Sequence, residues 1–233
     1  MAESNHRLIV TGPRRMPYKE AWAAQNDLRE KCVLTEGAEN FLMLVEHRPV
    51  VTVGRSGGKG DVLLSREALR RRGVELVETN RGGKVTFHGP GQLVMYPIID
   101  LSLRDKDLHR YMRDLEKWLI ALCSDYGIEA HRDEGRTGVW VGKNKIAAIG
   151  IAARRWVSFH GVALNVTTDL SYFDLIVPCG FTDRGVTSMA EESEQSPALE
   201  EVAESAVELF ADHFNFKNVE RRACVPRIKQ KSG

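Results

Sequence analysis

The sequence has little of several features that mark particular classes of protein. Its 233 residues include 33 Lys and Arg against 32 Asp and Glu, a net charge of +1. No apolar run approaches the roughly 18 to 20 residues that a membrane span needs. We therefore expect a chain that does not cross a membrane, and the charge balance gives no global argument for a nucleic-acid partner, although a local basic patch stays open.

Cysteine is scarce and scattered. The four residues Cys32, Cys123, Cys179 and Cys224 form no Cys-x-x-Cys pair and have no His at metal-ligand spacing nearby. This pattern argues against a zinc site and against a disulfide framework. We expect neither a metal nor another cofactor, and we interpret Cys32 and Cys123, which lie in helical patterns, as buried small apolar residues.

Targeting signals, repeats and long linkers are also not visible. The first ten residues, MAESNHRLIV, show neither a secretory apolar segment nor a transit-peptide composition, so the expected compartment is the cytoplasm. With 42% hydrophobic residues the chain has enough apolar material for a core. We expect a single domain over 1–233 that ends in a polar tail at about 226–233.

The hydrophobic periodicity predicts a mixture of helices and strands. Helices are expected over 17–33, 65–72 and 108–126, with a last helix opening at 196–197. Strands are expected over 41–45, 50–53, 74–77, 92–99 and 156–166, and a hairpin over 139–152 turns at 142–144. Pro97 suggests an edge strand or a strand end. The elements do not alternate evenly, so the expected fold is a mixed-sheet α/β or α+β domain.

A glycine-rich connection, RGGKVTFHGPGQ, covers residues 81–92 between two predicted strands. Glycine at this density suits a backbone that approaches a ligand closely. The segment has neither the Gly-Lys-Ser/Thr ending of a phosphate loop nor a Gly-x-Gly-x-x-Gly pattern. Nucleotide binding therefore gains no support from it.

Two histidines, His88 and His160, each precede a glycine. The sequence is compatible with a catalytic role for each histidine and with a structural role in which its hydrogen bonds are satisfied, and both interpretations stay open.

Cys179 and Lys145 are the candidate reactive pair. Cys179 lies in IVPCGFTDRGVTS, where Pro178 and Gly180 favour a turn that presents the thiol. A thiol with its ordinary pKa is only about 3% thiolate at pH 7, so a nucleophilic cysteine needs a nearby cation or base. Lys145 precedes the apolar run IAAIGIAA; burial there would lower its pKa, whereas an exposed edge position is the alternative.

Three segments resemble the signature blocks of the lipoyl(octanoyl) transferases, the LipB family. They are RGGKVTFHGPGQLVMYPIIDL (81–101), GVWVGKNKIAAIGIAARRWVSFHGVALNV (138–166) and DLIVPCG (174–180). The resemblance implies a biotin and lipoate protein ligase catalytic-domain fold. It also implies transfer of an octanoyl (or lipoyl) group from acyl carrier protein to a lysine of lipoyl domains, including the glycine cleavage H protein.

The resemblance assigns roles to residues of this chain. It implies that Cys179 is the acyl-accepting thiol and that Lys145 stands beside it. The family's substrate-lining blocks correspond to Arg81, Gly82, Gly83, Lys84, Val85, Thr86, Phe87, His88, Ala148, Ile149, Gly150, Gly161, Val162 and Ala163.

The chemistry of such a transfer agrees with these residue types. A cysteine thiol exchanges an acyl group with a donor thioester, and two N–H groups of the glycine-rich turns are a hypothetical oxyanion site. Small residues such as Ala148 and Gly150 either leave room for an acyl chain or allow close sheet packing. Six buried methylenes would contribute about 5 kcal/mol to acyl recognition.

The sequence leaves alternative functions open. An ATP-dependent lipoate or biotin ligase on the same fold would need no thiol, and a non-catalytic acyl-binding or scaffold protein would form no acyl adduct. Five arginines form either a docking patch for acidic partners or ordinary solvated surface: Arg70, Arg71, Arg72, Arg154 and Arg155.

Overall fold

The computed structural model describes residues 6–177 and 184–223. Strands β1 to β12 are Arg7–Met16, Glu39–His47, Val50–Val53, Glu75–Glu78, Val85–His88, Gln92–Ile98, His131–Asp133, Arg136–Val141, Asn144–Arg154, Val157–Asn165, Gly185–Val186 and Asn218–Arg222. Helices α1 to α5 are Tyr18–Leu34, Arg66–Arg71, Leu108–Asp125, Met189–Glu192 and Leu199–His213.

Within these ranges the strands form a large and a small sheet. The large sheet has the order β12-β1-β2-β6-β10-β9-β8-β7, and β11 pairs with the start of β9. Its β12-β1-β2 edge is parallel, whereas β2, β6, β10, β9 and β8 pair antiparallel in that order. The small sheet has the order β4-β3-β5. The mixed-sheet α/β prediction is confirmed.

Alternation along the strands covers both faces of the large sheet, because successive side chains of a strand point to opposite faces. In β2, Leu42 and Leu44 join the core beneath α3 and α5, whereas Phe41, Met43 and Val45 pack against α1. The sheet is therefore sandwiched between helices, and the α1 face is the one that continues into the small sheet and the site.

The predicted helices form close to their expected bounds. Asp107 caps α3, since its carboxylate accepts from the N–H groups of His109 at 2.8 Å and Arg110 at 3.1 Å. Ser65 caps α2 in the same way through the N–H of Ala68. The apolar stripe of α3, including Leu115, is buried.

The structure also corrects several expectations. Pro97 does not lie on an edge strand: β6 is central, and Pro97 is its penultimate residue, so the strand-end reading holds. The 81–92 connection contains β5, which pairs with β3. The sequence pattern predicts neither β1 nor β12. The strand β12 is polar and largely exposed, whereas the buried apolar run of β1 is short and is followed by Gly12 and Pro13, where the register shifts.

Two expectations concern parts of the chain outside the described residues. The tail at about 226–233 and Cys224 lie there. Along the described ranges, no helix is both long and apolar enough to cross a membrane.

Candidate functional site

A cavity of about 260 Å³ opens where the α1 face of the large sheet meets the small sheet. Its walls come from β5, β6, β8, β9 and β10 together with the 81–84 turn and the N-terminus of α1. Small and apolar side chains predominate on the sheet side. The strands therefore supply a fixed concave wall rather than a loop-built one.

Most of the predicted site residues meet at this cavity. Thirteen of them line it: Arg81, Gly83, Lys84, Val85, Thr86, His88, Lys145, Ala148, Ile149, Gly150, Gly161, Val162 and Ala163. Gly82 and Phe87 do not belong to the lining that the described residues form. The Phe87 ring stacks on Tyr172 at 4.6 Å between centroids, in the core of the small sheet.

The small residues of this region have different surroundings. A Cβ at Gly161 would lie 2.1 Å from the carbonyl oxygen of Met95, so only glycine permits β10 and β6 to approach this closely. Ala148 and Ala163 instead line the cavity, where their short side chains leave room.

The glycine-rich turns use some of their N–H groups for structure. Gly82 donates to the carbonyl of Ile151 at 2.9 Å, and Gly91 donates to the carboxylate of Glu46 at 2.8 Å. Neither N–H is therefore available to stabilise an oxyanion in this arrangement.

Lys145 lies at the cavity wall beside an aromatic ring. Its Nζ is 4.6 Å from the ring centroid of Trp140, the residue opposite it on β8. Strand β11 also contacts this position. Its Val186 pairs with Lys145, and the N–H of Thr187 donates to the backbone carbonyl of Lys145 at 3.0 Å. Cys179 lies outside the described residues, as do Pro178 and Gly180.

A chain of side-chain hydrogen bonds fixes the protonation of His88. Asn165 donates to the carbonyl of Thr187 at 2.9 Å, so its Oδ1 must be the atom that accepts from Gln92 Nε2, also at 2.9 Å. Gln92 Oε1 consequently faces His88 Nδ1 at 2.7 Å. Because an amide oxygen only accepts, Nδ1 carries the proton and Nε2 is left as an acceptor.

His47 is held in the same tautomer behind the cavity. Its Nδ1 lies 2.9 Å from the carbonyl of Met16, and its Nε2 lies 2.7 Å from the hydroxyl of Tyr96. Since the carbonyl can only accept, His47 Nδ1 donates and the Tyr96 hydroxyl donates to Nε2. Burial lowers the pKa of His47 to about 4 and raises the pKa of Tyr96 well above its usual range.

Burial and positive charge keep the cavity histidines neutral. Burial lowers the pKa of His88 well below its usual value, and neighbouring His47 and Arg81 act in the same direction. Burial and Arg81 together lower the pKa of His160 to about 3, with smaller effects of Arg29 and Arg55.

His160 has a strained and anchored backbone. Its φ is 58°, its N–H donates to Gln25 at 2.7 Å, and its Nε2 lies 2.8 Å from Asn80 Oδ1. Arg81 is buried nearby, where its guanidinium donates to the hydroxyl and the carbonyl of Thr52. The sequence left the roles of both histidines open, and the structure places both in the cavity wall.

Several cavity residues were missed by sequence reasoning. Tyr18, Tyr96 and Trp140 looked like ordinary core aromatics, and nothing in the local pattern distinguishes them. Gln92 and Asn165 carried a weak signal, since both are polar residues at the ends of otherwise apolar strands and both are buried.

The arginines of the hypothetical docking patch are exposed on two elements. Arg70 and Arg71 lie in α2, where both contact Glu67, and Arg72 caps the end of that helix. Arg154 and Arg155 lie at the turn between β9 and β10. No group of three or more His, Cys, Asp or Glu suited to a metal ion occurs in residues 6–177 and 184–223.

The family model described as "Lipoyl protein ligase A/B catalytic domain" matches residues 17–211. An octanoyltransferase of Thermoanaerobacter pseudethanolicus is 43% identical over 217 residues, covering 92% of this chain and 95% of that protein. Octanoyltransferases of Caldicellulosiruptor saccharolyticus and Koribacter versatilis are 45% and 53% identical, covering 96% and 76% of this chain and 97% and 70% of those proteins.

Solved structures show the same fold at low identity. Lipoate-protein ligase A bound with ATP superposes with a TM-score of 0.72 at 16% identity, covering 97% of this chain and 90% of that one. A bi-partite lipoate protein ligase from Thermoplasma acidophilum superposes with a TM-score of 0.69 at 16% identity, covering 97% and 88%. At this identity the likeness is one of fold alone.

Proposed function

Since this chain belongs to the lipoyl protein ligase A/B catalytic domain family, we propose that it is an acyltransferase that moves an octanoyl group from acyl carrier protein to a lysine of lipoyl domains. The relatives at 43–53% identity named octanoyltransferase support this activity, and they do not favour the ATP-dependent ligase alternative.

One observation from the structure supports the proposal most directly. Lys145 and the predicted substrate residues from three separate strands line a single cavity with small and apolar walls. An apolar cavity of about 150 Å³ holds benzene, so a cavity of 260 Å³ has room for a chain of about eight carbons.

The proposed reaction proceeds in two acyl transfers. The thiolate of Cys179 attacks the donor thioester; its sulfur–carbon bond forms, the bond to the carrier's sulfur breaks, and the carrier leaves as a thiol after taking a proton. The deprotonated amine of the acceptor lysine then attacks the enzyme thioester. The amide bond forms, the thiolate of Cys179 leaves, and the amine's remaining excess proton passes to the solvent or to a basic group.

Lys145 has a defined role in this scheme. A cation near the thiol stabilises the thiolate over the thiol and so raises the reactive fraction at neutral pH. In this scheme Lys145, in the cavity wall, is that cation, and Cys179 is the nucleophile. The octanoyl chain would lie against Ala148, Gly150 and Ala163.

The donor in this proposal is octanoyl-acyl carrier protein, and the acceptors are lipoyl domains of 2-oxoacid dehydrogenases and the glycine cleavage H protein. We place the reaction in the cytoplasm. Cys32 and Cys123 are buried free thiols, as is usual in a reducing compartment.

The decisive experiment measures the acyl adduct. The protein is incubated with octanoyl-acyl carrier protein without ATP, and intact-mass and peptide mass spectrometry follow. We expect one octanoyl adduct, located on Cys179 and lost in Cys179→Ser. Cys32 and Cys123 are internal controls, since burial raises the pKa of each thiol to about 12 and leaves it unreactive.

Two results would contradict the proposal. Full transfer activity in Cys179→Ser or a requirement for ATP would favour a ligase. No adduct on any cysteine, together with octanoyl bound without transfer, would favour a non-catalytic acyl-binding protein.

A further inference from the structure

The strands that present Lys145 pair in an irregular register. Val139 of β8 lies opposite Ala147 of β9, so an uninterrupted ladder would put Ile146 opposite Trp140. Instead, Trp140 lies opposite Lys145, and Ile146 is the extra residue of a β-bulge. Bulges of this kind re-aim side chains next to sites. Here the bulge places Trp140 and Lys145 on the same face, where both line the cavity.

The stem of Lys145 is held by the backbone of β8. Gly138 has a φ of 125°, and a Cβ there would lie 3.3 Å from Cε of Lys145 and 2.7 Å from the carbonyl of Ala147. The Cε and Cδ methylenes of Lys145 therefore lie where a side chain at position 138 would crowd them. The buried carboxylate of Glu116 accepts from the N–H of Gly138 at 3.2 Å and so anchors this stretch to α3.

The charged end of Lys145 lies over an indole face. The Nζ to ring-centroid distance of 4.6 Å is within the roughly 6 Å over which a ring quadrupole attracts a cation, and indole is the strongest of the aromatic rings in this respect. Trp140 is 2% exposed, so its ring has little freedom to move away. The interaction holds the ammonium group at the cavity wall while a ring face replaces part of its hydration.

A second cation uses the same ring. Arg184, the first described residue after 178–183, has its guanidinium carbon 5.9 Å from the ring centroid of Trp140. Arg184 forms an ion pair with Asp133 at 3.2 Å, and Arg136 contacts the same carboxylate oxygen at 3.0 Å. Trp140 thus contacts both β9 and the stretch that leads into β11.

We propose that Trp140 is the positioning residue of Lys145, holding its ammonium group at the cavity through the indole face. The proposal rests on the function assigned above, in which Lys145 acts on the acyl-accepting thiol. Trp140 itself touches no reacting atom in this scheme. In this scheme its contribution to the reaction passes through Lys145.

A double-mutant cycle tests this dependence. The rate of octanoyl adduct formation on Cys179 is measured in single turnovers for wild type, Trp140→Leu, Lys145→Ala and the double variant. We expect Trp140→Leu to react about tenfold more slowly than wild type, within the range that a cation–π contact contributes. The double variant should react at the rate of Lys145→Ala. Trp140→Phe, which keeps a ring, should lose about threefold.

Other outcomes overturn the proposal. If the two substitutions act independently, the double variant is slower than Lys145→Ala by the full Trp140→Leu factor, and the role of Trp140 is structural only. A Trp140→Leu rate equal to wild type also refutes it. Trp156→Leu, an exposed tryptophan at the turn between β9 and β10, is the matched control and should react at the wild-type rate.

A spectroscopic measurement separates this proposal from the function on which it rests. In protein labelled with ¹³C-lysine, the Hε protons of Lys145 should be shifted upfield by the indole ring current, and Trp140→Leu should abolish the shift. If wild type forms no adduct but shows the shift, the proposed function fails and the positioning contact stands. If the adduct forms and the shift is missing, the positioning proposal fails. If Trp140→Leu does not fold, Trp140→Phe takes its place in this measurement, because a phenyl ring has a smaller ring current than indole.

Discussion

Gln92 Oε1 lies 2.7 Å from His88 Nδ1 in the cavity wall. Because Gln92 is oriented by Asn165, this contact specifies a neutral His88 whose Nε2 is free of hydrogen. The cavity therefore contains a histidine that accepts, rather than donates, at Nε2.

Gln92→Glu should reverse the charge preference of His88. A carboxylate beside Nδ1–H stabilises the imidazolium and should raise the pKa of His88 by about 1 to 3 units. In ¹⁵N-histidine spectra we expect the Nδ1–H tautomer in wild type and a midpoint of ring protonation at higher pH in Gln92→Glu than in wild type. Gln195→Glu adds the same charge at an exposed position and should leave the His88 signals unchanged. An Nε2–H tautomer in wild type would contradict the hydrogen-bond assignment.

Lys145→Ala should slow acylation of Cys179. Removal of the cation raises the pKa of the thiol, so the rate of alkylation by iodoacetamide should reach its half-maximum at higher pH. At pH 7 we expect a loss of about tenfold for each unit of this shift. Lys143→Ala, in the exposed turn of the same hairpin, is the matched control. An alkylation profile of Lys145→Ala that overlays wild type would disprove the pairing.

Ala163→Leu should shorten the preferred acyl chain. Each displaced methylene is worth about 0.8 kcal/mol, about fourfold in rate, so the ratio of kcat/KM for octanoyl to hexanoyl donors should fall by up to about 15-fold. Ala153→Leu lies in the same sheet but outside the cavity lining and should keep the wild-type ratio. An unchanged ratio in Ala163→Leu would mean that the acyl chain does not lie along this wall.

Acid should destabilise the fold through its buried histidines. His47, His88 and His160 all have pKa values lowered in the folded state, so the unfolded chain binds their protons first as pH falls. The contribution of these histidines to the free energy of unfolding is therefore full above the pKa of an unfolded histidine, near 6.5. It falls by about 1.4 kcal/mol per pH unit per histidine as the pH drops below that value. Urea unfolding at pH 7, 6 and 5 should show this slope, and His47→Gln should reduce it by about one third. A stability independent of pH from 7 to 5 would exclude neutral burial.

Salt should slow transfer if the exposed arginines dock acidic partners. Screening acts over about 8 to 10 Å at physiological ionic strength, so the effect should appear in KM for both protein substrates rather than in kcat. Arg154→Glu with Arg155→Glu should raise KM, and a small octanoyl thioester serves as the uncharged-partner control. Kinetics independent of salt with both protein substrates would remove the docking hypothesis.

Local patterns determined the helices and the central strands of this protein. The apolar stripe of α3, the Ser65 cap of α2 and the Gly142 turn between β8 and β9 act over a few residues, so the sequence predicts them. The sequence does not predict the strand within 81–92, nor β1 and the edge strand β12, because their pairing partners are distant in the chain.

The features of the candidate site also divide into those that the sequence predicts and those that only the structure gives. The sequence by itself determined which residue types belong together, since its blocks resemble one family and thirteen of the predicted site residues line one cavity. Only the tertiary structure decided that Trp140 faces Lys145, because a one-residue bulge sets that register, and that Gln92 fixes the proton of His88, because the hydrogen-bond chain joins β6, β10 and the residue after β11. Contacts of this kind depend on register and on long-range packing, which no local pattern encodes.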